Sequence, residues 1–300
     1  EPTSAPAASA SSAALDNCGT EVTLDAAPER VVTIKSTSTE MLLALGLGDR
    51  IVGTAFQDGP LPDDLAEAGA DLVSISEQVP SEEAVLGLEP DLVYGGWESN
   101  FSADGAGERE ELQSLGVATY VSPAACKEAG YQPNPLTWDE VFREIGEVGS
   151  LFGAADAADE LVAEQKDVVD SIEPDDRGLS ALWYSSGSDT PYVGAGIGAP
   201  QMMLDTLGLE NIAAGVEDTW TPLGWEAVID ADPDVIVLVD ATWNTAQSKI
   251  DRLTSDPATA DLTAVQNARY LVIPFAAGEA GVRNASATAD LAEQLQTLDF

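Results

Sequence analysis

The sequence predicts an α/β protein of two Rossmann-like lobes, each with a central, mainly parallel sheet, joined by a single long α-helix. Three observations predict it. The chain has 300 residues, too many for one ordinary domain and enough for two that each bury a core. The block Glu83-Ala-Val-Leu-Gly-Leu-Glu-Pro90-Asp-Leu-Val-Tyr94 recurs as Glu226-Ala-Val-Ile-Asp-Ala-Asp-Pro233-Asp-Val-Ile-Val237, with Glu, Ala, Val, Pro and Asp at the same spacing. Between the copies lies a stretch with apolar residues at helical spacing, ended by Pro174.

In chain order, residues 1–16 open with a Pro/Ala/Ser run too poor in apolar surface to fold and read as a disordered tether. Such a leader on an acidic body is what remains once an export signal has been removed. The expectation is therefore an exported protein, held at the outer face of the cytoplasmic membrane by a lipid-modified Cys upstream of Glu1. The full gene would show that Cys after a hydrophobic segment.

The first lobe, 17–153, contains the two cysteines of the chain, Cys18 and Cys126. In an exported protein the pair predicts one disulfide, with two buried free thiols as the alternative. Glu40 to Leu47 reads as a helix closed by Gly46. The repeated block reads as helix, stop and strand: the residue before Pro90 is pushed out of the α region, and the apolar run after Pro-Asp suits a parallel strand covered on both faces. Gly116 to Pro123 supplies a further strand. Thr137 then caps a helix with acids in its first turn, which Gly153 interrupts.

The connecting segment, 154–174, holds a helix from roughly Asp156 to Ile172, on the order of 25 Å long at about 1.5 Å per residue and long enough to cross between lobes. An ordinary surface helix of one lobe is the alternative. The second lobe, 175–300, repeats the landmarks in the same order: a helix closed by Gly208, the block at Glu226, and a strand ending near Pro274.

Composition narrows the function. Fifty-three acids against 12 bases give a formal charge of −41, which repels nucleic acid and anionic lipid. The chain has no His, so it holds no Ser-His-Asp triad, no His-ligated zinc and no activating partner for a catalytic cysteine. An enzyme using paired carboxylates, or a free-metal binding protein, remains as the alternative function. Gly194-Ala-Gly196-Ile-Gly-Ala199 matches the GxGxxA dinucleotide pattern. It lacks the strand ending in an acid about 20 residues on, and reads instead as a loop.

Taken together, Pro28 to Ile34, Glu40 to Gly53, Glu83 to Tyr94, the Trp138 to Ile172 helices, Glu226 to Val237 and Leu262 to Tyr270 resemble the ABC-importer binding proteins for ferric siderophores, haem and cobalamin. A narrower likeness, carried by Asn17-Cys-Gly-Thr, Thr54 to Gly59 and Tyr94-Gly-Gly-Trp-Glu-Ser-Asn100, is to an actinobacterial branch associated with transport of a deazaflavin cofactor precursor. The resemblance implies a monomeric extracytoplasmic binding protein and no enzyme. It carries no cofactor of its own, and any metal arrives inside a chelated cargo. It further implies docking to the membrane permease through a surface carboxylate on each lobe, at positions matching Glu83 and Glu226. Plain solvated surface is the alternative for both.

In parallel α/β lobes the ligand lies beyond the carboxyl ends of the strands, which directs attention to the loops after Ile34, Tyr94, Tyr184, Val239 and Ile273. Those loops, with Trp220 near the second block, nominate Lys35, Ser36, Thr37, Trp97, Tyr184, Ser185, Tyr192, Trp220, Trp243, Phe275 and Arg283 as ligand contacts. Flat aromatic walls with a few hydroxyls suit a large, partly aromatic molecule. Local packing of the aromatics and ion pairing of Lys35 and Arg283 are the alternatives. Both cations in the cleft would favour an anion.

Overall fold

A computed structural model describes residues 13–300. The first twelve residues of the expected tether lie outside the described residues. Its last four do not remain a tether: β1 (Ala13–Asn17) pairs antiparallel with β2 (Thr20–Leu24). The Cys18–Cys126 disulfide, with Cα atoms 5.3 Å apart, fastens this hairpin to the first lobe. Buried Arg109 fastens it again, donating to the Asn17 carbonyl and side-chain oxygen at 2.8 Å each and to Thr119 Oγ1 at 2.9 Å.

The first lobe is built on β3 (Val31–Ile34), β4 (Ile51–Ala55), β5 (Ser74–Ser76), β6 (Leu92–Gly95) and β7 (Ala118–Val121). They form an all-parallel sheet in the order β5-β4-β3-β6-β7. Around it lie α1 (Ser36–Ala44), α2 (Asp63–Ala66), α3 (Glu82–Leu86) and α4 (Arg109–Ser114). Successive residues feed opposite sides: Val31, Leu92 and Tyr94 pack into one core, Val32, Ile34 and Val93 into the other. A strand sandwiched in this way needs the unbroken apolar run seen in the sequence.

Two helices follow. In α5 (Trp138–Phe152), Thr137 and Glu140 make the reciprocal capping box and Gly153 closes the far end at φ 69°, a left-handed position where Gly carries no Cβ penalty. The crossing helix α6 (Ala155–Ser171) starts and stops one residue earlier than the pattern predicts. The connection is stiffer than one helix. On α5, Val141 packs in the second lobe while Phe142, Ile145 and Val148 pack in the first, and Trp138 Nε1 reaches Thr206 Oγ1 at 2.8 Å.

The second lobe comprises β8 (Ser180–Ser186), β9 (Tyr192–Gly194), α7 (Ala199–Leu207), β10 (Glu210–Asn211), β11 (Trp220–Pro222), α8 (Trp225–Ala231), β12 (Val235–Asp240), α9 (Ala246–Ser255), α10 (Thr263–Gln266), β13 (Tyr270–Pro274) and α11 (Asn284–Gln296). Its sheet runs β11-β9-β8-β12-β13, with β10 beside the start of β8; β10, β12 and β13 run parallel to β8, while β9 runs antiparallel to both of its neighbours, β8 and β11. The GxGxxA stretch is the end of β9 and the turn into α7. There a Cβ on Gly196 would stand 2.1 Å from the Ala214 carbonyl oxygen, so close backbone approach explains that glycine.

The repeated block also finds its physical reason. Both helices stop short of the proline, α3 at Leu86 and α8 at Ala231, and the residue before each Pro, Glu89 and Asp232, takes a positive φ of 49° and 41°. The following Asp caps a neighbouring strand in each lobe. Asp91 accepts from the Glu29 and Arg30 N–H groups at 2.7 and 3.1 Å, and Asp234 from the Ser180 N–H and hydroxyl at 2.9 Å each.

Candidate functional site

The carboxyl ends of β3, β6, β7, β8 and β13 face one another across the gap between the lobes and enclose a cavity of about 390 Å³. The first lobe lines it with Thr37, Gly96, Trp97, Glu98, Ser122 and Lys127, the second with Ser185, Tyr192, Thr219, Trp220, Trp243, Phe275 and Glu279, together with small residues such as Ala124, Ala199 and Ala280. Of the residues nominated from sequence, Thr37, Trp97, Ser185, Tyr192, Trp220, Trp243 and Phe275 come together here. Tyr192 and Trp220 stack on adjacent antiparallel strands at 6.4 Å, and Trp243 meets Phe275 edge-on at 6.0 Å.

Four nominated residues are not on the cavity wall. Tyr184 points to the other side of β8, where its hydroxyl donates to the Gly187 carbonyl at 2.6 Å and its ring abuts Trp225. Adjacent strand residues face opposite sides, so placing Ser185 in the cleft removes Tyr184 from it. Ser36 accepts a hydrogen bond from the Asp58 N–H at 2.8 Å. Lys35 is buried and paired with Asp58, its Nζ lying 3.7 Å from the Trp97 ring, 4.3 Å from Phe56 and 5.2 Å from Phe275. Arg283 reaches into the first lobe, where Nε donates to Glu40 Oε2 at 2.6 Å and a terminal N–H to Glu40 Oε1 in a two-pronged ion pair, the same terminal nitrogen also donating to the Pro60 carbonyl at 2.9 Å. Both scarce cations are ion-paired, the alternative that the sequence left open.

Lys35 adopts φ 84° and ψ 152°, a region that glycine favours and that costs other residues about 1–3 kcal/mol. The reward is position: the strained turn directs the ammonium behind Trp97 and makes a cation–π buttress for the cavity wall. Gly96 is needed beside it, because a Cβ there would sit 2.5 Å from Thr37 Oγ1 and 2.7 Å from Lys35 Cβ.

Sequence reasoning missed Glu98, Ser122, Lys127, Thr219 and Glu279. Ser122 and Lys127 follow β7, a parallel strand whose loop deserved the same attention as the others. Glu279 bonds across the cleft, accepting from Trp97 Nε1 at 3.1 Å. Its carboxyl is raised in pKa by burial, against the opposing pull of Lys35 and of the Trp97 bond. Lys127 Nζ reaches Thr219 Oγ1 at 3.4 Å from the opposite lobe. Beneath the floor, Ser122 Oγ donates to buried Glu144 at 2.6 Å and Tyr94 OH to the same oxygen at 2.9 Å. Burial raises the Glu144 pKa to about 7 despite both bonds. The cavity offers a ligand aromatic faces, hydroxyls and carboxylates.

Glu83 and Glu226 do not line this cavity and are exposed in the first turns of α3 and α8.

The family model described as periplasmic binding protein matches residues 31–277. A cobalamin-binding protein of Halobacterium salinarum is 29% identical over 272 residues, covering 83% of this chain. The chain spans 66% of that relative's length. An uncharacterized ABC transporter substrate-binding lipoprotein of Bacillus subtilis is 26% identical, covering 93% of this chain and 84% of its own. The structure of an ABC-type Fe3+-hydroxamate transport system from Saccharomonospora viridis superposes with a TM-score of 0.79 at 28% identity, covering 94% of this chain and 98% of that one.

Proposed function

The chain belongs to the periplasmic binding protein family, and from that premise we propose that it is the extracytoplasmic substrate-binding protein of an ABC importer. One observation carries the reading: an aromatic-walled cavity lies where the strand ends of two joined lobes meet. The cargo is a large, partly apolar small molecule or a metal already chelated, of the ferric hydroxamate or corrinoid kind. Relatives named for cobalamin and for Fe3+-hydroxamate transport support that class. A deazaflavin-type anion loses the argument from two free cations, because Lys35 and Arg283 hold partners of their own.

Binding proceeds by parting and closing of the lobes. A cargo larger than the cavity has to break the Trp97–Glu279 and Lys127–Thr219 bonds, which link the lobes across the mouth. The amplitude is small because α5 packs on both lobes. Delivery to the permease runs through Glu83 and Glu226. An exposed carboxylate in the first turn of a helix on each lobe is a group that an Arg-bearing membrane partner can pair with.

Tryptophan fluorescence titration with ferrioxamine, cobalamin and a deazaflavin tests the cargo. Saturable quenching by either of the first two is expected, and no saturable response to any of the three refutes the class. Transport that survives Glu83→Arg combined with Glu226→Arg removes the docking role.

A further inference from the structure

We propose that the cleft contains a seat for a positively charged group, in which the Glu279 carboxylate is the specificity-determining anion and the rings of Tyr192, Trp220, Trp243 and Phe275 form the walls. The inference rests on the cleft being the cargo site, and adds to it the sign of the cargo's charge.

The argument starts from pairing. Among the described residues Glu279 belongs to no ion pair. One of its oxygens accepts from Trp97 Nε1 at 3.1 Å, and the other has no hydrogen-bond partner among the described residues. The neighbouring cations are already engaged: Lys35 with Asp58, Arg283 with Glu40, and exposed Lys127 with Asp218 at 3.9 Å. Glu98 adds a second carboxylate to the wall. The charged groups about the cavity therefore sum to a negative site.

Aromatic rings carry negative faces that attract a desolvated cation. Tyr192, Trp220, Trp243 and Phe275 line the same cavity as Glu279. The molecule already uses this chemistry behind the wall, where the Lys35 ammonium lies 3.7 Å from the Trp97 ring. A buried carboxylate whose nearby Lys35 is already paired with Asp58 is under-compensated, and a cargo ammonium relieves that penalty. A carboxylate-bearing cargo meets like charge instead. Tyr192 reports the same field, because its phenol is raised in pKa by burial and then by Asp218 and Glu279.

The test uses ferrioxamine with its free terminal ammonium, its N-acetyl form and its N-succinyl form, which present cationic, neutral and anionic ends on one chelate. Benzyltrimethylammonium, benzyl alcohol and benzoate repeat the series without a chelate. The cationic member of each series is expected to bind about tenfold tighter than the neutral one, with the anion weakest. Glu279→Gln, which keeps an acceptor for Trp97, is expected to bring the three within about twofold of one another. Its melting curve verifies that it folds.

Affinity that ignores charge in the wild type, or a preference that survives Glu279→Gln, overturns the seat, as does the absence of binding by every probe. Charge-selective binding of the small probes without any chelate binding keeps the seat and rejects the chelate cargo. Chelate binding blind to charge does the reverse.

Discussion

Replacing Arg283 with Met keeps the aliphatic stem and removes the guanidinium that spans the lobes. Its partner Glu40 is 1% exposed and then stands in the first lobe without a counter-charge. Breaking a buried pair from one side costs about 3–5 kcal/mol. The cost depends on pH in a defined direction. Burial already raises the folded pKa of Glu40 above 4.5, with the Arg283 hydrogen bond and charge as the two main opposing influences. The folded state thus holds the proton to a higher pH than the unfolded state, so Glu40 costs stability as pH climbs from the unfolded value through the folded one. Removing Arg283 raises the folded pKa further, and each added unit costs about 1.4 kcal/mol once the pH exceeds it.

Urea midpoints of the wild type, Arg283→Met, Glu40→Gln and the double variant, at pH 5 and pH 8, measure this directly. Arg283→Met is expected to lose about 3 kcal/mol at pH 8 and much less at pH 5, and Glu40→Gln added to it is expected to restore most of the loss at pH 8. A penalty equal at both pH values, or a double variant as unstable as Arg283→Met alone, refutes the reasoning.

Two further outcomes follow from buried groups elsewhere. Glu144, with its pKa raised to about 7, costs the wild type stability as pH rises from about 4.5 to about 7, up to about 3 kcal/mol in all. Glu144→Gln is expected to flatten that part of the stability–pH curve, and an unchanged slope rejects it. Cys18→Ser with Cys126→Ser is expected to lose about 2–4 kcal/mol, and reductant should lower the wild-type melting temperature to match; identical melts with and without reductant contradict this.

Much of the fold was legible because it rests on local rules. Thr137 and Glu140 three residues on announce a helix start, and an unbroken Val/Ile/Leu run after Pro-Asp announces a strand buried on both faces. The aromatic wall was legible for the same reason, since Trp97, Trp243 and Phe275 follow strand ends. What sequence could not supply is pairing at a distance. Lys35 and Arg283 look like free cations until Asp58, 23 residues away, and Glu40, 243 residues away, come into reach. Tyr184 was lost to the strand's two-residue period, and Lys127 and Glu279 were passed over because a charged residue among so many acids carries no mark of its surroundings.

The bond between Cys18 and Cys126 turns the segment between them into a covalent ring that contains every strand of the first sheet, from Val31 to Val121. A protease that cuts once inside that ring leaves both fragments tethered, so the first lobe survives a nick as a single molecule. A cut anywhere in the second lobe separates the chain into two pieces held together by packing alone. Under proteolysis this durability is unevenly shared, and limited digestion should leave the ringed half as the persistent fragment.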